Sequence, residues 1–184
     1  MKKSDRISAL VGQLPAGGAL DPRYTGYFTC FNAGQYYEAH DVLEHLWLRC
    51  RDENALFYKG LIQIAGAFVH LQKQFLHPLH AKHGRRLRPA VRLFRLGAEN
   101  LAPFAPRHLH LDVAALRHRC AQLAEEIEAE DYARNPWSLA EMPQLELSEE
   151  GSRPDEKHPQ THVILSGVPC GRRRDGTQSK DPVA

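Results

Sequence analysis

The chain has 184 residues, 42% of them hydrophobic, and a formal net charge of +2. This length suits one well-filled domain and is too short for two large ones. The net charge is too small to indicate a nucleic-acid or anionic-membrane partner, so we expect neither. The four cysteines form no Cys-x-x-Cys pair, and no apolar stretch resembles a signal peptide or a membrane span. We therefore expect a cytoplasmic protein with free thiols.

Start and stop signals divide the first half of the chain into three predicted helices. Asp21-Pro22 supplies an N-cap followed by a proline at the first helical position, and Gly34 can provide the left-handed residue that ends the first helix. A second helix is predicted from about residue 35 to residue 50. The third helix, from about 54 to 75, is apolar over most of its circumference, which is typical of a central helix packed on several sides.

Two more helices are predicted after Pro78 interrupts the pattern. The fourth covers about residues 82–101, but Pro89 implies either a kink or a later start near residue 88. Asp112 is positioned to cap a fifth helix, whose apolar residues recur at helical spacing.

The predicted helical domain is residues 21–135. Residues 1–20 are expected to form a flexible leader. Residues 142–184 are polar and rich in proline and glycine, and they bury too little apolar surface to offset their ordering entropy. No strand-like alternation of useful length occurs. The sequence therefore predicts an all-α fold, a compact bundle of four to five helices with a disordered C-terminal tail.

The second predicted helix carries several polar side chains on one side. His40 and Glu44 are four residues apart and lie beside Tyr37 and Trp47, while helical spacing places Asp41 toward solvent. His40 thus falls at the edge of the apolar face, where a side chain is partly desolvated and still accessible.

The third predicted helix has a narrow polar stripe that includes Lys59, Gln63 and His70. Gln63 and His70 are seven residues apart, so they lie above one another after two turns. If this stripe faces the second helix, its side chains converge with His40 and Glu44 in a polar pocket. The candidate pocket residues are Tyr37, His40, Asp41, Glu44, Trp47, Lys59, Gln63 and His70.

Three interpretations of such a pocket remain open. His40, Glu44 and His70 form a competent ligand set for a divalent metal. The same groups could act in acid–base chemistry, because imidazole titrates near neutrality and burial raises the pKa of a glutamate. Polar groups on facing helices also often do no more than satisfy one another and fix the register of packing.

Other polar clusters are weaker candidates. His77, His80 and His83 surround Pro78, which favours a solvated histidine-rich loop over a metal site. The arginines between residues 85 and 95 favour a solvated outer face over a nucleic-acid surface. No phosphate-binding glycine loop, dinucleotide fingerprint or nucleophile elbow occurs.

Two segments resemble the signature of the domain-of-unknown-function family three-zero-nine. They are Phe31-Asn32-x-Gly34-x-Tyr36-Tyr37-Glu38-Ala39-His40-Asp41-x-Leu43-Glu44-x-x-Trp47 and Phe57-Tyr58-x-Gly60-Leu61-Ile62-Gln63-x-Ala65, with His70 beyond. Both occur in the expected order and at the expected separation, and a weaker likeness continues to about residue 128. The resemblance implies a small helical bundle without an assigned activity. It marks four polar positions, which correspond to His40, Glu44, Gln63 and His70.

The chain departs from this family between residues 77 and 88, which are rich in histidine and arginine where the family has a Gly-Asn-type turn. We expect a module that binds a small molecule or a protein partner through the polar pocket. The alternative is a metal-dependent hydrolase-like enzyme in which His40, Glu44 and His70 hold the metal and Gln63 orients water or substrate. A weaker alternative is an RNA-associated protein that contacts phosphate through the arginines.

Overall fold

The computed structural model describes residue 12 and residues 20–148. Five α-helices occur in this part: α1 (Pro22–Asn32), α2 (Tyr36–Trp47), α3 (Asn54–Leu76), α4 (Leu87–Leu101) and α5 (Val113–Ala129). Each helix packs against the next one along the chain, which confirms the predicted all-α class. Apart from residues 12 and 20, the predicted leader lies outside the described residues, and so does the predicted tail beyond residue 148.

The helix ends follow the capping chemistry of the sequence. The carboxylate of Asp21 accepts the backbone N–H of the second residue after it at 2.7 Å, and Asp112 caps α5 in the same manner at 2.9 Å. Gly34 has φ +72°, the left-handed conformation that was expected of it. Helix α4 begins at Leu87, so Pro89 lies in its first turn, where a missing N–H breaks no helical hydrogen bond.

Within the described residues, no helix combines the length and the apolarity that crossing a bilayer requires.

A small amount of sheet joins α4 to α5. A 3-10 turn (Ala102–Phe104) leads into strand β1 (Arg107–His108), which pairs antiparallel with β2 (Leu111–Asp112). Leu111 also bridges Leu147 near the end of the described chain. Two-residue strands carry no alternation that sequence reasoning could detect, so this ladder was not predicted.

Aromatic rings fill the centre of the bundle. The Phe68 ring of α3 lies 5.1 Å from the Phe31 ring of α1, 5.2 Å from the Tyr36 ring of α2 and 5.1 Å from the Phe94 ring of α4, measured between centroids. All four side chains are at most 3% exposed. The predicted central helix α3 therefore contributes the ring at which four helices meet.

The chain after α5 returns to the bundle. Trp137 is buried, and its indole N–H donates to the hydroxyl of Tyr36 at 3.0 Å. Farther along, the Asn32 side chain accepts the N–H of Leu145 at 2.8 Å and donates to its carbonyl at 2.9 Å. The predicted domain ended at residue 135, whereas the structure packs the following residues up to 148 against α1, α2 and β2.

Helices α3 and α4 approach each other closely through glycine. A Cβ atom on Gly97 would lie 2.7 Å from Cγ1 of Ile64 and 3.0 Å from the carbonyl oxygen of Gly60. A Cβ atom on Gly60 would in turn lie 3.1 Å from the carbonyl oxygen of Gly97. Since backbone atoms occupy this space, the contact requires glycine on both helices.

We predict that Gly97→Ala lowers the free energy of unfolding by about 1–3 kcal/mol, since overpacking outweighs the gain of about 1 kcal/mol in helix propensity. Urea denaturation would measure this. Gly66→Ala is the matched control, because its Cβ would meet only the flexible tip of Leu93 at 3.3 Å. Equal stability of the two variants would contradict a close helix contact at Gly97.

Candidate functional site

The start of α2 is fixed against the end of α3. The left-handed Gly34 turns the chain from α1 into α2, and the amide group of Gln72 donates to the Gly34 carbonyl at 2.9 Å. This hydrogen bond satisfies a loop carbonyl and ties the first turn of α2 to the last turns of α3. The helix that carries these polar side chains is therefore held in place at its start.

His40, Asp41 and Glu44 come together on α2. One ligand atom from each of these residues can be chosen so that all three atoms lie within 4.8 Å of one another. His40 and Glu44 are four residues apart and Asp41 and Glu44 are three apart, which are the spacings that bring side chains together on a helix. Within the described residues, no other group of three histidine, cysteine, aspartate or glutamate side chains meets this distance.

The burial of Asp41 corrects the prediction that it faces solvent. Asp41 is 3% exposed, and it is the only buried charged residue in the part of the chain that the structure describes. Helical spacing assigned one buried side to α2, but the helix is covered around Asp41 as well. Burying a carboxylate is costly unless a cation or hydrogen-bond donors accompany it, so this position is chemically restricted.

The imidazole of His40 lies close to the carboxylate of Asp41. Its Nδ1 lies 3.3 Å from Oδ1 of Asp41, and the ring is partly exposed. In the tautomer that carries its proton on Nδ1, His40 donates to Asp41 and leaves a lone pair on Nε2. In the other tautomer the proton lies on Nε2, and the lone pair of Nδ1 faces the carboxylates, as a shared ion would require.

Two further side chains lie beside this group. The Tyr37 ring is half-exposed and lies 6.4 Å from the His40 ring, nearly parallel to it. The ammonium group of Lys73, from α3, lies 5.4 Å from the centre of the Tyr37 ring. Trp47, the other aromatic candidate of α2, is half-buried against the hydrophobic core.

The polar stripe of α3 faces α4. Gln63 accepts a hydrogen bond of 2.6 Å from Asn100, which is on α4. Nδ1 of His70 lies 3.0 Å from the guanidinium of Arg86, just before α4 begins. Lys59 is exposed. The hydrogen-bond partners of Gln63 and His70 thus lie on α4 and on the residue just before it.

Among the described residues, His70 is not part of the group that His40 and Glu44 form within 4.8 Å. Asp41 joins His40 and Glu44 in place of His70. Sequence reasoning also missed Asn100 and Arg86, the partners of Gln63 and His70. Neither position gives a signal of pairing in the sequence, because the rotation of one helix relative to its neighbour is not encoded in the period of either.

His70 is held as a neutral acceptor. Burial lowers its pKa from 6.5 to about 4, and the positive charges of Arg86 and Lys73 contribute in the same direction. The guanidinium of Arg86 can only donate, so Nδ1 of His70 accepts. Arg86 also donates from Nε to His83 at 2.9 Å, which ties the histidine-rich turn to α3.

The segment between α3 and α4 is a series of turns, as expected for a solvated loop. The rings of His80 and His83 lie 4.4 Å apart and nearly parallel. Nδ1 of His80 already accepts two backbone N–H groups, and Nδ1 of His83 accepts from Arg86. These two nitrogens are engaged within the protein, which agrees with a structural role for the turn.

Residues 24–79 match the family described as Domain of unknown function (DUF309). This finding confirms the resemblance expected from the two motifs, and the matched segment includes His40, Asp41, Glu44, Gln63 and His70. No curated protein and no solved structure matches the chain. The description of this family names no reaction.

We predict that His70 makes the protein less stable as the pH falls. Below about pH 6.5 unfolded His70 takes up a proton that folded His70 accepts only near pH 4, so the unfolded state binds more protons across this interval. The free energy of unfolding should fall by about 1–2 kcal/mol between these values, after allowance for solvent screening.

Urea denaturation between pH 7.5 and 4.5 would measure this loss, and His70→Gln should remove it. His118→Gln is the control, because His118 is an exposed histidine of α5. A pH dependence that is unchanged in His70→Gln would contradict the assignment.

Proposed function

We propose that this chain is a helical module that binds a divalent metal ion through His40, Asp41 and Glu44. The supporting observation is the mutual approach of their ligand atoms within 4.8 Å. A single ion can bridge donors that are this close. The proposal specifies the expected ligand-binding module, and it replaces His70 by Asp41 in the expected metal set.

The donor chemistry favours a borderline transition metal. One imidazole and two carboxylates are ligands typical of zinc, manganese and ferrous iron, whereas calcium prefers oxygen donors alone. Three protein ligands leave at least one coordination position for water or for a ligand atom, as in catalytic zinc sites. An ion held there would lower the pKa of its bound water, which is the step that the hydrolase alternative requires.

The burial of Asp41 beside a second carboxylate agrees with a bound ion. Like charges on two nearby carboxylates repel, and a bound cation offsets both this repulsion and the desolvation of Asp41. The competing interpretation is a purely structural network. In that case His40→Ala would lower stability by about 1–3 kcal/mol, and metal ions would have no effect on either form.

We predict that chelator-treated protein without an affinity tag binds one zinc, manganese or ferrous ion per chain and unfolds at a higher temperature with it. Isothermal titration calorimetry and thermal melts would measure both effects. Asp41→Asn and Glu44→Gln should each weaken binding by about 10–100-fold or more. Glu38→Gln and His45→Ala, on the same helix outside the group, should bind as the wild type does.

The histidine-rich turn needs its own control, since exposed histidines bind transition metals nonspecifically. A variant with His77, His80 and His83 all changed to Asn should retain stoichiometric binding. Binding that survives His40→Ala but disappears in this triple variant would refute the proposed site. Absence of any thermal shift with all three ions would refute it as well.

A further inference from the structure

Positive charge is concentrated in one stretch of the sequence. Between Glu53 and Glu99 there is no aspartate or glutamate, although the chain as a whole carries 22 acidic residues and a net charge of only +2. The same stretch contains eight basic residues, so the remainder of the chain has a net negative charge. The eight are Lys59, Lys73, Lys82, Arg85, Arg86, Arg88, Arg92 and Arg95.

Several of these cations are occupied in the structure. Arg86 is engaged with His70 and His83, and Arg95 pairs with Glu128 of α5. Arg88 lies over the Tyr132 ring at 4.0 Å.

Lys82, Arg85 and Arg92 are exposed around the turn between α3 and α4 and along the first turns of α4. Together with the end of α3 they form a surface that we call the cationic corner, residues 75–92. A groove of about 550 Å³ in this region is lined by His70, Arg88 and Arg92 above the apolar side chains of α4.

The cationic corner also exposes large apolar side chains. Leu79 is 98% exposed, Leu76 is 51% exposed and Phe75 is 40% exposed. Leu79 sits in the turn between α3 and α4, close in sequence to Lys82 and Arg85. A leucine that is 98% exposed buries almost no apolar surface, and its nearness in sequence to exposed Lys82 and Arg85 favours a partner that is both anionic and apolar.

We propose that the cationic corner binds the surface of an anionic phospholipid bilayer. Lipid phosphates attract the lysine and arginine side chains, and the acyl region just beneath them accepts Leu79 and Leu76. Guanidinium groups suit this role because their paired N–H donors match phosphate oxygens. The phosphates of a nucleic acid would attract the same cations but would leave Leu79 in water, so the exposed leucines favour lipid.

This surface uses none of the proposed metal ligands, because His40, Asp41 and Glu44 all lie on α2. The small net charge of the whole chain gives no sign of the cationic corner, since acidic residues elsewhere in the chain cancel most of the positive charge between Glu53 and Glu99. The attraction is local, because ions screen charges beyond about 8–10 Å at physiological salt. A peripheral contact of this kind requires no membrane-spanning helix.

Co-sedimentation of the full chain with vesicles would test the proposal. We predict binding to vesicles of phosphatidylcholine mixed with phosphatidylglycerol and no binding to phosphatidylcholine alone. Reversal of charge in the double variant Arg85→Glu, Arg92→Glu should weaken binding by at least about tenfold. Leu79→Ser should also weaken it by about tenfold, because the apolar contribution is lost.

Two matched variants serve as controls. Arg134→Glu reverses an exposed charge outside the corner, and Leu139→Ser alters a leucine that is 61% exposed. Both should bind as the wild type does.

Equal binding to both vesicle types, or no binding to either, would overturn the proposal. So would a Leu79→Ser variant that binds normally while the charge variant loses binding to a polyuridine oligonucleotide, because that result would assign the surface to nucleic acid.

Discussion

The contact of four helices around the Phe68 ring is the constraint on which the rest of the structure depends. Phe68 touches aromatic rings from α1, α2 and α4, and all of them are almost completely buried. Aromatic side chains bury large areas and prefer a few relative orientations, so they fix helix positions as well as supplying stability. Because α3 carries this ring in its middle, the other helices are arranged around it.

The position of the candidate metal group depends on this core. Tyr36, at the first turn of α2, stacks on Phe68, and its hydroxyl accepts a hydrogen bond from Trp137. Gln72 fixes the preceding turn through Gly34. A ligand group on a helix that is held at several points needs little ordering when it binds an ion, and such preorganisation improves affinity.

The sequence was sufficient for the fold class and for most helix starts, because local chemistry determines them. Asp21-Pro22 and Asp112 act as caps, Gly34 adopts the left-handed conformation, and Pro89 marks the first turn of α4. The return of the chain through Trp137 to Tyr36 was beyond such reasoning. It joins residues about a hundred positions apart, and no local pattern encodes that contact.

The site was predicted in part, for a similar reason. Helical period places His40 beside Glu44, and these two residues do come together, since the relation lies within one helix. It did not determine which neighbour each face meets, so Asn100 and Arg86 were missed and Asp41 was placed in solvent. The net charge of the whole chain also does not report a local excess of positive charge, so it did not predict the cationic corner.

The glycine contact between α3 and α4 has a mechanical consequence. Neither Gly60 nor Gly97 has a side chain that holds the helices apart, and a Cβ atom on either one would crowd the carbonyl oxygen of the other. We therefore expect the two helices to move together as one rigid unit. If the proposed ion binds the carboxylates of α2, we expect the motion that admits it to occur in α2 and not between α3 and α4.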